Sequence, residues 1–169
     1  DYAVGGGTAT GSGTDYTLAS GTLTFTPGTV TQNIPIAIVN DTLYENAETI
    51  IVNLSNLSNA TNGTFVSSTV TINSDDAVPT ISYTAGTTAN VNENVGNYAL
   101  SFTLSAISGV DATVTINTAN VSATAGSDYT AQSSVLVTIP AGQTSITQNI
   151  PITDDTLFET AETFTITMS

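Results

Sequence analysis

Apolar residues recur at every second position along the chain, in runs too short for a helix. Leu23 and Phe25 alternate with threonines, Ile34, Ile36 and Ile38 fall on one face, and Ile50, Val52 and Leu54 fall on another. Val70 and Ile72 begin a short run that "NSDDAVPT" breaks, and beyond it come Leu100, Phe102 and Leu104, then Val114 and Ile116. Successive side chains on a strand point to opposite faces, so a period of two predicts strands with one face buried. Turns between them are marked by "TPGT", "PAGQ", "ISGVD" and "NATNGT". Pro35 and Pro151 fall inside predicted strands. Lacking an N–H to give a neighbour, each places its strand at a sheet edge or a bulge. No stretch holds a helical period of useful length. Several short strands at regular spacing predict an all-β chain built as a β-sandwich.

The pattern is written nearly twice. "GSGTDYT" (11–17) returns as "TAGSDYT" (124–130), and the segment 22–55 returns as 135–169. The offset is 113 at the Asp-Tyr pair, 116 at Gln-Asn-Ile-Pro-Ile and 114 from the acidic turn to the end. The first copy therefore carries two extra residues around Ala37–Val39, a change that leaves every later side chain on its original face. Two tandem repeats are expected: residues 1–76 as the rear part of one, and 77–169 as a nearly complete second that lacks a last strand. A sandwich missing strands exposes unpaired edges, which invites strand addition from neighbouring repeats or chains. Asp1 is not an initiator Met, so the chain reads as a processed or partial product.

Composition narrows the chemistry sharply. In 169 residues there is no Lys, Arg, His, Cys or Trp, against fourteen Asp and Glu, for a formal charge of −14. Phosphate-backbone binding rests on Lys and Arg, so nucleic acid is excluded as a partner, and an anionic membrane surface repels the chain. No His can serve as base for a serine- or cysteine-type nucleophile, and no Lys can form a Schiff base or an intramolecular Lys–Asn cross-link. Zinc and iron–sulfur sites lack both Cys and His. Hydrophobic residues still make up 40% of the chain, enough to build a core. No apolar run approaches the ~20 residues that span a bilayer, so no membrane insertion is expected.

The acids are clustered. "NDTLYENAET" (40–49) and "DDTLFETAET" (154–163) are the same acidic turn written twice. Two like charges ~4 Å apart repel by about 1 kcal/mol in water and ~4 at an effective dielectric near 20. With no basic side chain to offset them, crowded carboxylates must take up protons, disperse into solvent or hold a cation. Oxygen-only, carboxylate-rich loops favour Ca²⁺ over transition metals. Carboxylate pairs can also run glycoside hydrolysis. Here the acids recur identically in both repeats and no Trp-rich platform accompanies them, so no enzyme is expected.

Five motifs occur in order, the first four with counterparts in the second copy: G-x-DY, "GTLTF-x-PG", "I-x-I-x-(N/D)D-x-x-x-E-x-x-E", "V-x-LSN" and "TVTI-x-x-DD". Together they resemble the Calx-β domain, over essentially the whole chain. The resemblance implies an immunoglobulin-like antiparallel sandwich with Ca²⁺ held by loops at one end. It implies Asp15, Asp41, Glu45, Glu48, Asp75 and Asp76 as ligands in the first repeat. In the second it implies Glu93, Asp128, Asp154, Asp155, Glu159 and Glu162. Asn40 stands where the second repeat has Asp154, the first repeat has no equivalent of Glu93, and the second has none of Asp75 and Asp76.

Function follows as an expectation: an extracellular structural or adhesive repeat module, even the subunit of a surface fibre, whose Ca²⁺ stiffens the sandwich ends and the junction between repeats. The alternative is a Ca²⁺-responsive regulatory or binding module, as in the sodium–calcium exchangers that carry this domain. The absence of basic residues favours an outside location. So do six N-x-S/T sequons, of which Asn53, Asn56, Asn59 and Asn62 would carry glycans in a glycosylating source.

Overall fold

The computed structural model describes residues 1–84 and 88–169. The chain forms two compact units, Asp1–Asp76 and Ala77–Ser169, each antiparallel and almost wholly β. Among the described residues of the second unit, six strands form two three-stranded sheets. One has the order β10-β7-β6, from β6 (Ile81–Tyr83), β7 (Asn97–Leu104) and β10 (Ser145–Pro151). The other has the order β11-β8-β9, from β8 (Ala112–Asn120), β9 (Val135–Ile139) and β11 (Phe164–Met168). A single 3-10 turn at Glu93–Val95 leads into β7.

The period of two decides what lies between the sheets. Leu100, Phe102 and Leu104 of β7 and Ile150 of β10 point into one core with Val114, Ile116, Val137 and Ile139 from the opposite sheet. Phe102, Ile116, Ile139 and Ile150 are fully buried. Each such side chain contributes about 1.5–3 kcal/mol through burial, which makes this two-sheet core the main stabilising element of the unit. The fold is therefore an immunoglobulin-like β-sandwich. Pro151 ends β10 opposite Asn97, on an edge strand of its sheet, where its carbonyl accepts from Thr130 N–H at 2.9 Å.

The first unit holds a smaller core. β1 (Tyr2–Gly7), β4 (Glu48–Leu54) and β5 (Ser67–Ile72) form a sheet of order β1-β4-β5, and β2 (Tyr16–Thr17) pairs with β3 (Ala37–Ile38). Ile50 and Val52 of β4 pack with Tyr16, flanked by Val70 and Ile72 of β5. A bulge between Val4 and Gly6 brings β1 so close to β4 that a Cβ on Gly7 would meet the Thr49 carbonyl oxygen; φ of +119° there also requires glycine.

Two expected strands do not form in this unit. Residues 22–26 are irregular with Phe25 54% exposed, and of 34–38 only Ala37–Ile38 is strand, so Pro35 lies outside any strand. The second unit shows the reason. Leu136–Ile139 of β9 pair with Ala112–Thr115 of β8, and Ser145–Pro151 of β10 pair with all of β7 apart from Leu104. Residues 1–76 contain no equivalent of Ala112–Val114 or of β7, so alternating apolar residues find no ladder to join. The turns between these segments survive: Thr29 N–H donates to Thr26 O (2.9 Å) and Gln143 N–H to Pro140 O (3.0 Å). Gly28 and Gly142 take the positive φ that a Pro-x/Gly turn needs.

Replacing Phe102 by Ala should lower the stability of the second unit by about 3–5 kcal/mol, while Phe25→Ser should change stability by less than ~0.5 kcal/mol. Urea unfolding of both variants checks this, and a large loss at Phe25 would contradict the assigned cores.

Candidate metal centre

Each unit builds its acidic end in the same way, starting from a buried tyrosine. Tyr16 and Tyr129 are buried, and the Tyr129 ring stacks on Phe164 with centroids 4.0 Å apart. Its hydroxyl donates to Asn120 Oδ1 at 2.7 Å. Fixing the tyrosine fixes the residue before it, and alternation along an extended chain turns that residue, Asp15 or Asp128, away from the core. Asp128 Oδ2 accepts from Thr124 N–H at 2.6 Å, and Asp15 Oδ2 accepts from Thr10 N–H at 2.5 Å. A tight loop closes behind each, with Gly126 N–H donating to Tyr129 O (2.9 Å) and Gly13 N–H to Tyr16 O (3.0 Å).

The repeated acidic turn supplies the facing wall. Its entry is tied to the same aspartates: Thr153 N–H donates to Asp128 O and Val39 N–H to Asp15 O, both at 2.9 Å. Asp155 Oδ1 then accepts from Leu157 N–H (2.7 Å) and Asp41 Oδ1 from Leu43 N–H (2.9 Å). These Asx-type turns reverse the chain and bring the two following glutamates back toward the aspartate. Carboxylate oxygens of Asp15, Glu45 and Glu48 all lie within 4.8 Å of one another, and so do those of Asp128, Glu159 and Glu162.

The crowding is felt as proton affinity. Glu45 is raised above its ordinary value first by burial, then by the charges of Asp15, Asp41 and Asp76. Burial also raises Glu48, helped by its hydrogen bond with the Asp15 carboxyl. The mirror of that bond, from Glu162 to Asp128, is the leading cause at Glu162, followed by desolvation and the charges of Asp128, Glu159 and Glu93. Glu159 rises through desolvation and then the charges of Asp128, Asp155 and Glu93. A carboxyl pair can share a hydrogen bond only if one of them holds a proton, or a cation stands in its place.

Of the twelve acids named from the sequence, six form these two triads. Asp41, Asp75 and Asp76 line one cavity with the first triad. Glu93 and Asp155 act on the second triad through their charge. Among the described residues nothing draws Asp154 into the second triad. The first cavity also takes in Asn46 and Asn73. Both are neutral oxygen donors, and the second copy has Thr160 at the place of Asn46 and no equivalent of Asn73.

The donor set fits a hard divalent cation. Every ligand atom offered is oxygen, three anionic groups converge in each unit, and no positive side chain competes. Ca²⁺ takes ~6–8 oxygens in flexible geometry, which mono- or bidentate carboxylates, carboxamide or backbone carbonyls and water can supply together. Mg²⁺ demands a tighter octahedron and parts reluctantly with its water.

A tandem pair of β-sandwich repeats, each crowding carboxylates at one end, defines a class of cation-site modules. The Calx-beta domain family model matches residues 1–77 and again residues 75–169, and the chain belongs to that family. Comparison with curated proteins gives no match. Among solved structures, the calcium binding domain CBD12 of CALX1.1 is 26% identical over 53% of this chain and 37% of its own, with a TM-score of 0.49. The apo-form Calx CBD1 domain is 27% identical over 46% of this chain and 67% of its own, with a TM-score of 0.42. CBD12 from CALX1.2 is 24% identical over 99% of this chain and 65% of its own, with a TM-score of 0.45. The chain thus spans little more than a third of the first of these.

The raised glutamates set the pH behaviour of the cation-free protein. A carboxyl whose folded-state affinity for protons is raised stabilises the fold most below its unfolded value. That contribution is lost as pH rises through the folded value. In chelator, the melting temperature should therefore rise as pH falls from neutral toward the ordinary glutamate value of 4.5, and Glu48→Gln with Glu162→Gln should flatten the rise. A profile equally steep in the double variant would contradict the assignment.

Proposed function

We propose that the chain is a pair of Ca²⁺-binding repeats from an extracellular structural or adhesive protein, in which the ion stiffens each sandwich end. The observation that carries this reading is the duplicated triad, built twice on the same backbone contacts in a chain without one basic residue. Asp15, Glu45 and Glu48 would hold the first ion, with Asp41, Asp75 and Asp76 beside them; Asp128, Glu159 and Glu162 would hold the second, with Glu93, Asp154 and Asp155 beside them. The bound cation supplies positive charge that replaces the missing proton or base. The protein's own residues orient the carboxylates and prevent them from swinging into solvent.

Asp75 and Asp76 give this a mechanical consequence. They close the first unit in sequence and line its acidic cavity. An ion there would fix the last residues before the second unit and so restrict the joint. Repeats stiffened in this way suit a load-bearing role, with identical repeats or neighbouring chains as partners. No nucleic acid, membrane insertion or catalysis enters this reading. The second reading, a Ca²⁺-responsive regulatory module, draws on the calcium binding domains of the solved structures and would show as a large change of shape with Ca²⁺.

Adding Ca²⁺ at a hundredfold excess over Kd should stabilise each unit by about 2.7 kcal/mol, and EGTA should reverse it. Asp15→Ala should remove the response of the first unit alone and Asp128→Ala that of the second, while the ion-free protein loses no more than the ~1 kcal/mol of the bond each aspartate accepts from Thr10 or Thr124 N–H. Calorimetry with and without Ca²⁺ reads this. Equal losses in both conditions would reduce the carboxylates to ordinary structural groups, and a shape change seen in scattering would favour regulation.

A further inference from the structure

The segment 55–66 joins β4 to β5 and forms no strand, and every residue in it is exposed. At its centre stands Asn62-Gly63, the one Asn-Gly pair in the sequence. Between two strands this dipeptide usually builds a tight type I′ hairpin, which needs positive φ at both residues. Here neither residue has positive φ, and twelve residues separate the strands. Among the described residues, no hydrogen bond holds the Asn62 side chain or the Gly63 N–H, and a Cβ built on Gly63 meets nothing within 4 Å.

From this geometry we infer that Asn62 is a site of spontaneous deamidation. The Gly63 backbone nitrogen attacks Cγ of Asn62 and loses its proton to solvent. The new C–N bond closes a five-membered succinimide as Nδ2 departs with a proton as ammonia. Water then opens the ring at either carbonyl and leaves aspartate or isoaspartate at position 62. The net reaction consumes one water and releases one ammonia, with no change of oxidation state. Ring closure needs a backbone free to rotate and an attacking nitrogen unscreened by a side chain, and glycine in an exposed loop meets both needs.

Other asparagines lack one or both conditions. Asn53 lies in β4 and pairs with Ala3 and Ser67, and Asn120 lies in β8 with its Oδ1 accepting from Ala125 N–H and Tyr129 Oη–H. Asn56 donates to Asp1 Oδ2. Asn59 is exposed but is followed by Ala60, whose Cβ screens the nitrogen. The product adds a negative charge to a chain already at −14 and, as isoaspartate, lengthens the loop backbone by one carbon. It also erases the Asn62-Gly63-Thr64 sequon. None of this depends on cation binding.

The test is incubation of the whole chain at neutral pH and body temperature, read by intact mass, peptide mapping and enzymatic methylation of isoaspartate. The peptide Thr-Asn-Gly-Thr alongside serves as a clock. The expected result is the small mass gain of NH₂ replaced by OH, mapped to residue 62, with isoaspartate appearing on the clock's timescale. Gly63→Ala, which the open space tolerates without refolding the loop, should lose most of that signal, and Asn62→Gln should lose it as well. A folded chain that stays unmodified while the peptide converts would overturn the inference, as would modification mapping to another asparagine.

Discussion

Like charges held close together without a counter-charge shape everything at the acidic end of each unit. Three carboxylates within 4.8 Å repel one another by about 1 to 4 kcal/mol per pair, depending on how much water screens them. Most proteins relieve such a cluster with Lys or Arg, and this one has neither. The local response is that glutamate protons are held more tightly, at Glu48 through burial and the Asp15 carboxyl and at Glu162 through the Asp128 carboxyl. That is what a site does when the positive charge must come from outside.

The rest of the structure keeps the carboxylates from escaping. A buried tyrosine pins each leading aspartate, and that aspartate's own carbonyl receives the first N–H of the acidic turn. In the second unit the anchor is further secured by the Phe164 ring and the Asn120 side chain, both contributed by paired strands of the β11-β8-β9 sheet. Core packing is thereby linked to cation chemistry, because loosening the sandwich would release the aspartate and dissolve the cluster. The same arrangement is built twice, from the same acidic turn and the same backbone contacts.

Much of this was legible in the residues. Alternation located β7, β8 and β4, because strands half-buried in a sheet display one apolar face. The repeated acidic turns and the resemblance they carry named twelve acids, six of which the fold gathers into the two triads. Alternation misled at 22–26 and 34–36, where apolar residues alternate but no neighbouring strand exists to bond with; a ladder is a property of two segments and cannot be read from one. Asp154 shows the other limit. Adjacent aspartates look equivalent in sequence, but neither joins the triad, and only Asp155 closes the Asx turn and acts on Glu159 through its charge. Asn46 and Asn73 were missed because neutral oxygen donors carry no signal in a tally of charge.

Terbium luminescence tests the central claim most directly. Tb³⁺ substitutes for Ca²⁺ at oxygen sites and emits when excited through a nearby aromatic ring. In a chain without tryptophan, Tyr16 and Tyr129 sit one residue from the leading aspartates. The expected result is saturable emission at two equivalents, displaced by Ca²⁺ and halved by either Asp15→Asn or Asp128→Asn. Emission that grows without saturation, or that survives the double substitution, would show that these carboxylates form no site.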